Sequence, residues 1–279
     1  KAGELLVVCA GDSRMGEPDT LEEQNYGDAG GAVVVGTENV IAELVGTYTI
    51  SQEFLGTWRT EEQDYLKSFP GGFENKFGYN RFIAATVQGV LKKCSLETKD
   101  ITNAAIAAPT QRALQSALRG LGFDIKTQVQ ETFWNTIGDA GTAQPLVLLA
   151  AVLERAKPGD LLLVAGYGDG GDAAIFRATD AIANFQAARS VYSQIEVKRT
   201  LESYGKYARF RKLIRKDYST DDESTPVVLV RDQKQILPLY GGKCPACGVI
   251  QFPIHRICTE CGYRNGLEEV KLSRRGKLF

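Results

Sequence analysis

Residues 161–178 read LLLVAGYGDGGDAAIFRA, an apolar run followed by a glycine-dense turn and a second apolar run. Short apolar runs bounded by turn residues are typical of buried strands. We therefore predict strands at 161–165 and 173–178, joined by a turn at 166–171. The turn is not a dinucleotide-binding GxGxxG fingerprint, because no helix is predicted after it.

The sequence before this stretch alternates strand-like and helix-like apolar patterns. Strands are predicted at 5–9, 32–36 and 40–50, which together form one sheet, and a short strand is predicted at 104–107. Apolar residues at helical spacing predict helices at 78–94, 110–121 and 143–156. The last of these is apolar all round, so we expect it to be buried on every side. These elements predict a layered α/β domain with a central buried helix.

Four cysteines near the C-terminus form two CxxC pairs separated by ten residues: Cys244, Cys247, Cys258 and Cys261. Two such turns bring four thiolates around one tetrahedral ion. Gly248 and Gly262 directly follow the two pairs, where a left-handed residue is needed. We therefore predict a zinc ribbon whose metal is structural, because four thiolates leave no open position for a substrate. The alternative, unpaired thiols or two disulfides, requires an oxidising compartment for the disulfides and does not explain the spacing.

The charge balance gives no sign of a polyanionic partner. Lys and Arg total 33 against 34 acidic residues, and 43% of the residues are hydrophobic, enough for a sizeable core. The longest apolar stretch, 145–153, is too short to span a bilayer, and no signal-peptide pattern opens the chain. We therefore expect a cytoplasmic protein without a membrane partner. Because the chain opens at Lys1 almost directly in a strand-like run, we expect it to be part of a longer chain that covers the exposed strand edges.

A basic segment follows the α/β domain. Its composition predicts a basic helix at 198–216, then a linker at 219–225 and an extended segment at 227–230. Clustered basic residues and a ribbon also fit nucleic-acid binding. Acidic residues interrupt the cluster and packing explains its aromatic residues, so we predict no nucleic-acid partner.

Several motifs resemble the C-terminal half of the thiolase superfamily, and specifically the archaeal and bacterial hydroxymethylglutaryl-CoA synthases. The motifs are GDAGGAVVV at 27–35, LGTWR at 55–59, IGDAG at 137–141, KPGD at 157–160 and GYGDG at 166–170. Residues 239–262 are similar to zinc-ribbon proteins that accompany thiolases and carry an OB-fold after the ribbon.

The resemblance implies a five-layered αβαβα fold of two similar halves, of which the second is present. It divides the chain into a thiolase-like half at 1–183, a basic helix and linker at 184–240, a zinc ribbon at 241–267 and a truncated first OB-fold strand at 268–279.

The resemblance also implies a chemistry, and the sequence departs from the family's pattern at two of the positions that carry it. In the family, a cysteine of the first half carries the acyl group, and a histidine and an asparagine of the second half polarise the thioester. The histidine position is Ala107 and the asparagine position is Asp139. Three alternatives stay open for Asp139: a protonated donor, an ionised base, or merely part of a tight turn. The only histidine, His255, lies in the ribbon and is expected to pack or to face solvent.

Further substrate contacts follow from the same resemblance. Gly168 and Gly170 are expected to let the backbone approach the acyl group. Arg112 is expected to meet a CoA phosphate from a helix N-terminus, although a solvated surface arginine is the simpler interpretation.

Two functional hypotheses result. The first is an acyl-CoA-processing enzyme that makes or breaks a carbon–carbon bond next to a thioester, with a CoA thioester as substrate. The second is a non-catalytic scaffold subunit of a thiolase complex, which the replaced histidine favours. The resemblance implies either a homodimer or a complex with a thiolase subunit.

Overall fold

The computed structural model describes residues 3–69, 72–214 and 225–276. The chain divides into two compact units, Lys1–Tyr207 and Ala208–Phe279. Within the described residues, no helix is long and apolar enough to cross a bilayer. The predicted division into four parts stays a prediction.

The first unit contains two sheets. Strands β1 (Leu6–Ser13) and β2 (Asp28–Val35) pair antiparallel along their whole length, from Leu6 opposite Val35 to Ser13 opposite Asp28. The second sheet has the order β3-β6-β5-β4, and only its β4–β5 pair is parallel. Its strands are β3 (Ala42–Ser51), β4 (Asn103–Ile106), β5 (Leu161–Gly168) and β6 (Gly170–Ala178).

The prediction that the first three strands form one sheet is therefore wrong. The strand predicted at 32–36 also begins earlier, because the glycines before it are part of β2. A Cβ atom on Gly31 would lie 2.8 Å from Cβ of Leu146, so this glycine lets a helix approach the strand closely. A glycine that suggests a turn in the sequence here serves close packing.

Helices cover both faces of the second sheet. The first unit contains α1 (Leu21–Asn25), a π-helix (Glu74–Tyr79) continued by α2 (Asn80–Lys93), α3 (Gln111–Arg119), α4 (Gln144–Leu153) and α5 (Val191–Glu196), with 3₁₀ turns at Thr98–Asp100, Gly141–Ala143 and Asp180–Asn184. Leu163 of β5 lies in the core cluster formed with α2 and α3, whereas Leu162 lies in the cluster formed with α4. All ten residues of α4 are buried or half-buried, which agrees with the prediction of a central buried helix.

The predicted basic helix at 198–216 is wrong in extent. Helix α6 spans only Tyr204–Phe210, and α5 is separate from it. Lys212 adopts a positive φ of 58°, which an α-helix cannot contain, and closely spaced like charges weaken a helix. The predicted linker at 219–225 lies outside the described residues except for Thr225.

After α6, the described residues of the second unit form two short helices and a small sheet. The segment predicted as extended at 227–230 is helical in α7 (Pro226–Arg231), since a proline in the first turn favours a helix start; α8 (Gln233–Ile236) follows. The sheet has the order β8-β7-β9 and is antiparallel, with β7 (Tyr240–Lys243), β8 (Ile250–Gln251) and β9 (Glu268–Lys271). Strand β9 begins at Glu268, the first residue of the predicted OB-fold strand, and pairs with β7. The OB-fold stays a prediction.

We predict that Gly170→Ala destabilises the first unit by about 3 kcal/mol. Gly170 has φ +121°, and a Cβ atom there would collide with the carbonyl oxygen of Ile50. Gly168→Ala is the matched control, because nothing lies within 4 Å of a Cβ atom at that position. Denaturant unfolding of both variants measures the difference, and equal midpoints would contradict the strand pairing described for Gly170.

Candidate active site and cysteine cluster

A cavity of about 740 Å³ lies beside the second sheet of the first unit. Its walls come from β5 and its following turn, the segment after β4, the start of α4 and residues that follow β1 and β3. Ala107 lies in this wall, buried, and its N–H donates to the carbonyl oxygen of Ala165 over 2.9 Å. The next N–H, of Ala108, donates to Oε1 of the buried Gln144 over 3.2 Å. The position where the resemblance expects a histidine is thus a methyl group facing the cavity.

Asp139 forms an isolated parallel β-bridge with Tyr26, shortly after the turn at residues 134–137. Its N–H donates to the carbonyl oxygen of Asn25 over 2.8 Å, and its carbonyl oxygen accepts from the N–H of Gly27 over 3.0 Å. Gly138 has φ +87°, a conformation that favours glycine. The bridge fixes the position of the Asp139 backbone, and the tight-turn alternative for this residue stays a prediction.

The Asp139 carboxyl group is buried in the cavity wall and accepts hydrogen bonds on both oxygens. Nη1 of Arg14 donates to Oδ2 over 2.7 Å, and the N–H of Gly141 donates to Oδ1 over 3.0 Å. Burial raises the pKa of Asp139, while the Arg14 guanidinium and the Gly141 amide oppose this rise. Because both oxygens already accept, the contacts suit a carboxylate better than a protonated donor. Its catalytic role stays a prediction.

Arg14 is the cation of the site, and nothing in the sequence analysis pointed to it. Its Nε donates to Oδ2 of Asp12 over 3.2 Å, and its guanidinium lies 5.5 Å from the ring centroid of Tyr26. Its backbone N–H donates to Oδ1 of Asp28 over 3.1 Å. The pairing of β1 with β2 brings these groups together, so a single-sequence motif could not reveal them. The strand predicted from the sequence ends at residue 9, so it gave no signal for Arg14 either.

A second polar group on the cavity wall was also missed. Glu74, Tyr79 and Tyr167 line the cavity, and neither tyrosine hydroxyl has a hydrogen-bond partner in the described part of the chain. Burial and then the charge of Asp139 raise the pKa of Glu74, opposed by Arg14 and by a hydrogen bond from Thr57. Of the four acidic residues that line the cavity, Glu74 and Asp139 are thus in different surroundings, and Asp169 and Asp172 are exposed.

The predicted substrate contacts divide between two places. Gly168 lines the cavity. Among the described residues, Gly170 and Arg112 are not part of the cavity lining. Gly170 packs against Ile50, and Arg112 is exposed in the first turn of α3. The contact of Arg112 with CoA stays a prediction.

The four predicted cysteines lie together in the second unit. Their sulfur atoms are all within 4.8 Å of one another, with 3.6 Å between Cys244 and Cys261 and 3.7 Å between Cys247 and Cys258. Four sulfurs at about 2.3 Å from one tetrahedral zinc ion lie about 3.8 Å apart, so the cluster could hold zinc. The N–H of the glycine after each pair donates to the carbonyl oxygen of the pair's first cysteine.

The glycines of these turns have the predicted conformation. Gly248 has φ +75° and Gly262 has φ +72°. His255 is exposed, as expected for a histidine that faces solvent.

No protein-family model matches the chain. The hydroxymethylglutaryl-CoA synthase of Archaeoglobus fulgidus is 30% identical over 220 residues, which cover 77% of this chain and 63% of that protein. The same enzyme of Methanopyrus kandleri is 28% identical over 212 residues, or 75% of this chain and 60% of the relative. A solved hydroxymethylglutaryl-CoA synthase complexed with CoA superposes with a TM-score of 0.58 at 18% identity, covering 79% of this chain and 59% of that one.

The fold is thiolase-like. The chain is homologous to hydroxymethylglutaryl-CoA synthase over about three quarters of its length, and it spans about three fifths of the curated relatives it matches. The cavity lies inside this thiolase-like unit.

We predict that Asp139→Ala destabilises the thiolase-like unit by about 3 kcal/mol, because it leaves Arg14 largely buried without its closest partner. Arg14→Ala has a similar effect, because it leaves the buried Asp139 carboxylate without its cation. The double variant loses less stability than the sum of the two single variants. Denaturant unfolding of the four proteins gives this coupling. The exposed Lys99–Glu97 pair, whose side chains are 75% and 71% exposed, is the control and shows no measurable coupling. Additive effects at Arg14 and Asp139 would contradict the ion pair.

Proposed function

We propose that this chain is part of an acyl-CoA-processing enzyme of the thiolase superfamily, with an activity like that of hydroxymethylglutaryl-CoA synthase. One observation carries the proposal: three quarters of the chain is homologous to proteins of that name, and the cavity lies within that thiolase-like unit. The reaction is an acyl transfer that makes or breaks a carbon–carbon bond next to a thioester. The substrate is a CoA thioester.

The cavity supplies a suitable environment for that chemistry. Gly166 and Gly168 add no side chains to the cavity lining, so the backbone at these two positions can approach a thioester closely. The wall at Ala107 is apolar, which excludes water from an enolate-like intermediate. Arg14 and Asp139, which also line the cavity, contribute a fixed dipole. These features favour a reaction in which negative charge develops on a carbonyl oxygen.

The alternative, a non-catalytic scaffold subunit, rests on the missing histidine alone. The relatives named above are synthases, so the comparisons do not favour it. Pairing as a homodimer or with a thiolase subunit, the cytoplasmic location and the absence of a nucleic-acid partner stay predictions.

We further propose that the cysteine cluster binds one structural zinc ion. The donor set supports this: four sulfur atoms surround one point at tetrahedral spacing. Cys244, Cys247, Cys258 and Cys261 would hold the ion and join the two turns of the ribbon. Zinc there stabilises the small sheet, which has little core of its own.

The function is tested by mass spectrometry of the full-length protein after incubation with a panel of acyl-CoAs. We expect a covalent acyl adduct on a cysteine that is released by the second substrate, because acyl transfer in this superfamily proceeds through an acyl-enzyme. Co-purification with a thiolase, without any adduct in the presence of bound acyl-CoA, would favour the scaffold alternative instead.

The metal site is tested by elemental analysis of the full-length protein. We expect about one zinc per chain in the wild type and almost none in Cys261→Ser, because three thiolates bind the ion much less tightly. Cys9→Ser, which changes an exposed cysteine of β1, is the matched control and keeps the metal. Full zinc content in Cys261→Ser would rule out the four-cysteine site.

A further inference from the structure

Glu74 differs from the other acids of the cavity. Asp139 is paired with Arg14, and Asp172 accepts a hydrogen bond from Thr49 over 2.6 Å while facing solvent. Asp169, the fourth acidic residue of the lining, is exposed. Glu74, at the start of the π-helix, is half-buried and forms no ion pair with any described residue. It is thus a carboxyl group on the cavity wall whose charge no cation neutralises directly.

Two glycines keep the Glu74 carboxyl group next to a tyrosine hydroxyl. A Cβ atom on Gly56 would lie 2.6 Å from Oε1 of Glu74 and 2.9 Å from Oη of Tyr167. A Cβ atom on Gly78 would collide with the same hydroxyl. The lack of a side chain at Gly56 therefore lets both groups approach the same point of the cavity wall.

The hydroxyls of Tyr79 and Tyr167 are donors without an acceptor. Both oxygens are buried without a partner in the described residues, and both side chains line the cavity. An unsatisfied buried donor costs about 1–3 kcal/mol, which a ligand oxygen would recover. Burial and the charge of Asp139 raise the pKa of Tyr79, and burial and the charge of Glu74 raise that of Tyr167, so both hydroxyls stay protonated.

We propose that Glu74 removes the α-proton of an acyl thioester bound in this cavity, while the Tyr79 and Tyr167 hydroxyls donate to the thioester carbonyl oxygen. This inference rests on the function proposed above. The C–H bond breaks and the proton forms an O–H bond with the Glu74 carboxylate. The electron pair of the C–H bond forms the C=C bond, and the π pair of the carbonyl group moves onto its oxygen. The enolate then carries the negative charge that the hydroxyls stabilise, and no further reactant is consumed.

The surroundings of Glu74 suit a base. Burial first, and then the charge of Asp139, raise the pKa of Glu74, while Arg14 and Thr57 oppose this rise. A general base works best when its pKa approaches the working pH, and an ordinary carboxyl group lies well below it. The raised pKa therefore brings Glu74 closer to the range of an effective base.

The test is deuterium exchange at the α-carbon of acetyl-CoA and propionyl-CoA in D₂O, catalysed by the full-length protein and followed by mass spectrometry. We expect Glu74→Gln to lower the exchange rate by about 100-fold while binding of the acyl-CoA is retained. Glu38→Gln, a change of an exposed glutamate in the turn after β2, is the matched control and exchanges at the wild-type rate. Glu74→Asp, which keeps the carboxyl group, restores part of the rate.

The pH profile separates a base from a merely structural residue. The wild-type rate rises with pH through the raised pKa of Glu74, since only the carboxylate accepts the proton. In Glu74→Gln the rate no longer rises with pH. In Tyr167→Phe the rate is lower but still rises with pH, because Glu74, Arg14 and Asp139 are unchanged. Circular dichroism verifies that each variant is folded.

Three outcomes would overturn the inference. Exchange by Glu74→Gln at the wild-type rate would show that another group is the base. A wild-type protein that forms an acyl adduct without exchanging the α-proton would leave the proposed function standing and remove Glu74 from it. A wild-type protein that neither binds an acyl-CoA nor forms an adduct would overturn both.

Discussion

The burial of β5 on both faces is the constraint on which the first unit depends. Leu163 packs into the cluster of α2 and α3 and Leu162 into the cluster of α4, and each fully buried leucine contributes about 1.5–3 kcal/mol. An all-apolar strand is stable only if helices cover both of its faces. Covering them brings the end of β4 next to the start of α4, and the cavity lies where they meet, at Ala107 and Gln144. The site is thus a consequence of how the sheet is enclosed.

Local signals made part of this structure predictable from the sequence. The spacing of the cysteines alone defines two turns, and the apolar spacing of residues such as Phe82, Val87 and Leu91 identifies α2, where all three are buried. Errors arose where a distant contact decides the conformation. Gly31 is in a strand because α4 packs against it, and β1 and β2 form their own sheet because they pair with each other rather than with β3. Neither contact is visible in a short window of sequence.

The cavity shows the same division. The resemblance identified Ala107, Asp139 and Gly168, and all three line the cavity. Arg14 and Glu74 were missed, since each is distant in the sequence from the residues it faces. Their importance comes from the charges and hydroxyls around them, which the tertiary structure assembles. Side-chain chemistry was readable from the sequence, but the set of neighbours that gives it a role was not.

The carboxylate at position 139, where the resemblance expects a neutral donor, acquires a different role once its neighbours are considered. Asp139 raises the pKa of Glu74 and Arg14 lowers it. Because these two effects oppose each other, the ion pair acts on Glu74 as a dipole and not as a single full charge. In a partly buried site such a dipole acts more strongly than it would in water. Asp139 therefore needs no proton of its own to influence the reaction. Asp139 adjusts the basicity of Glu74, while the ion pair with Arg14 offsets the cost of burying the Asp139 carboxylate. A carboxylate in place of a neutral donor is therefore compatible with chemistry in the same cavity.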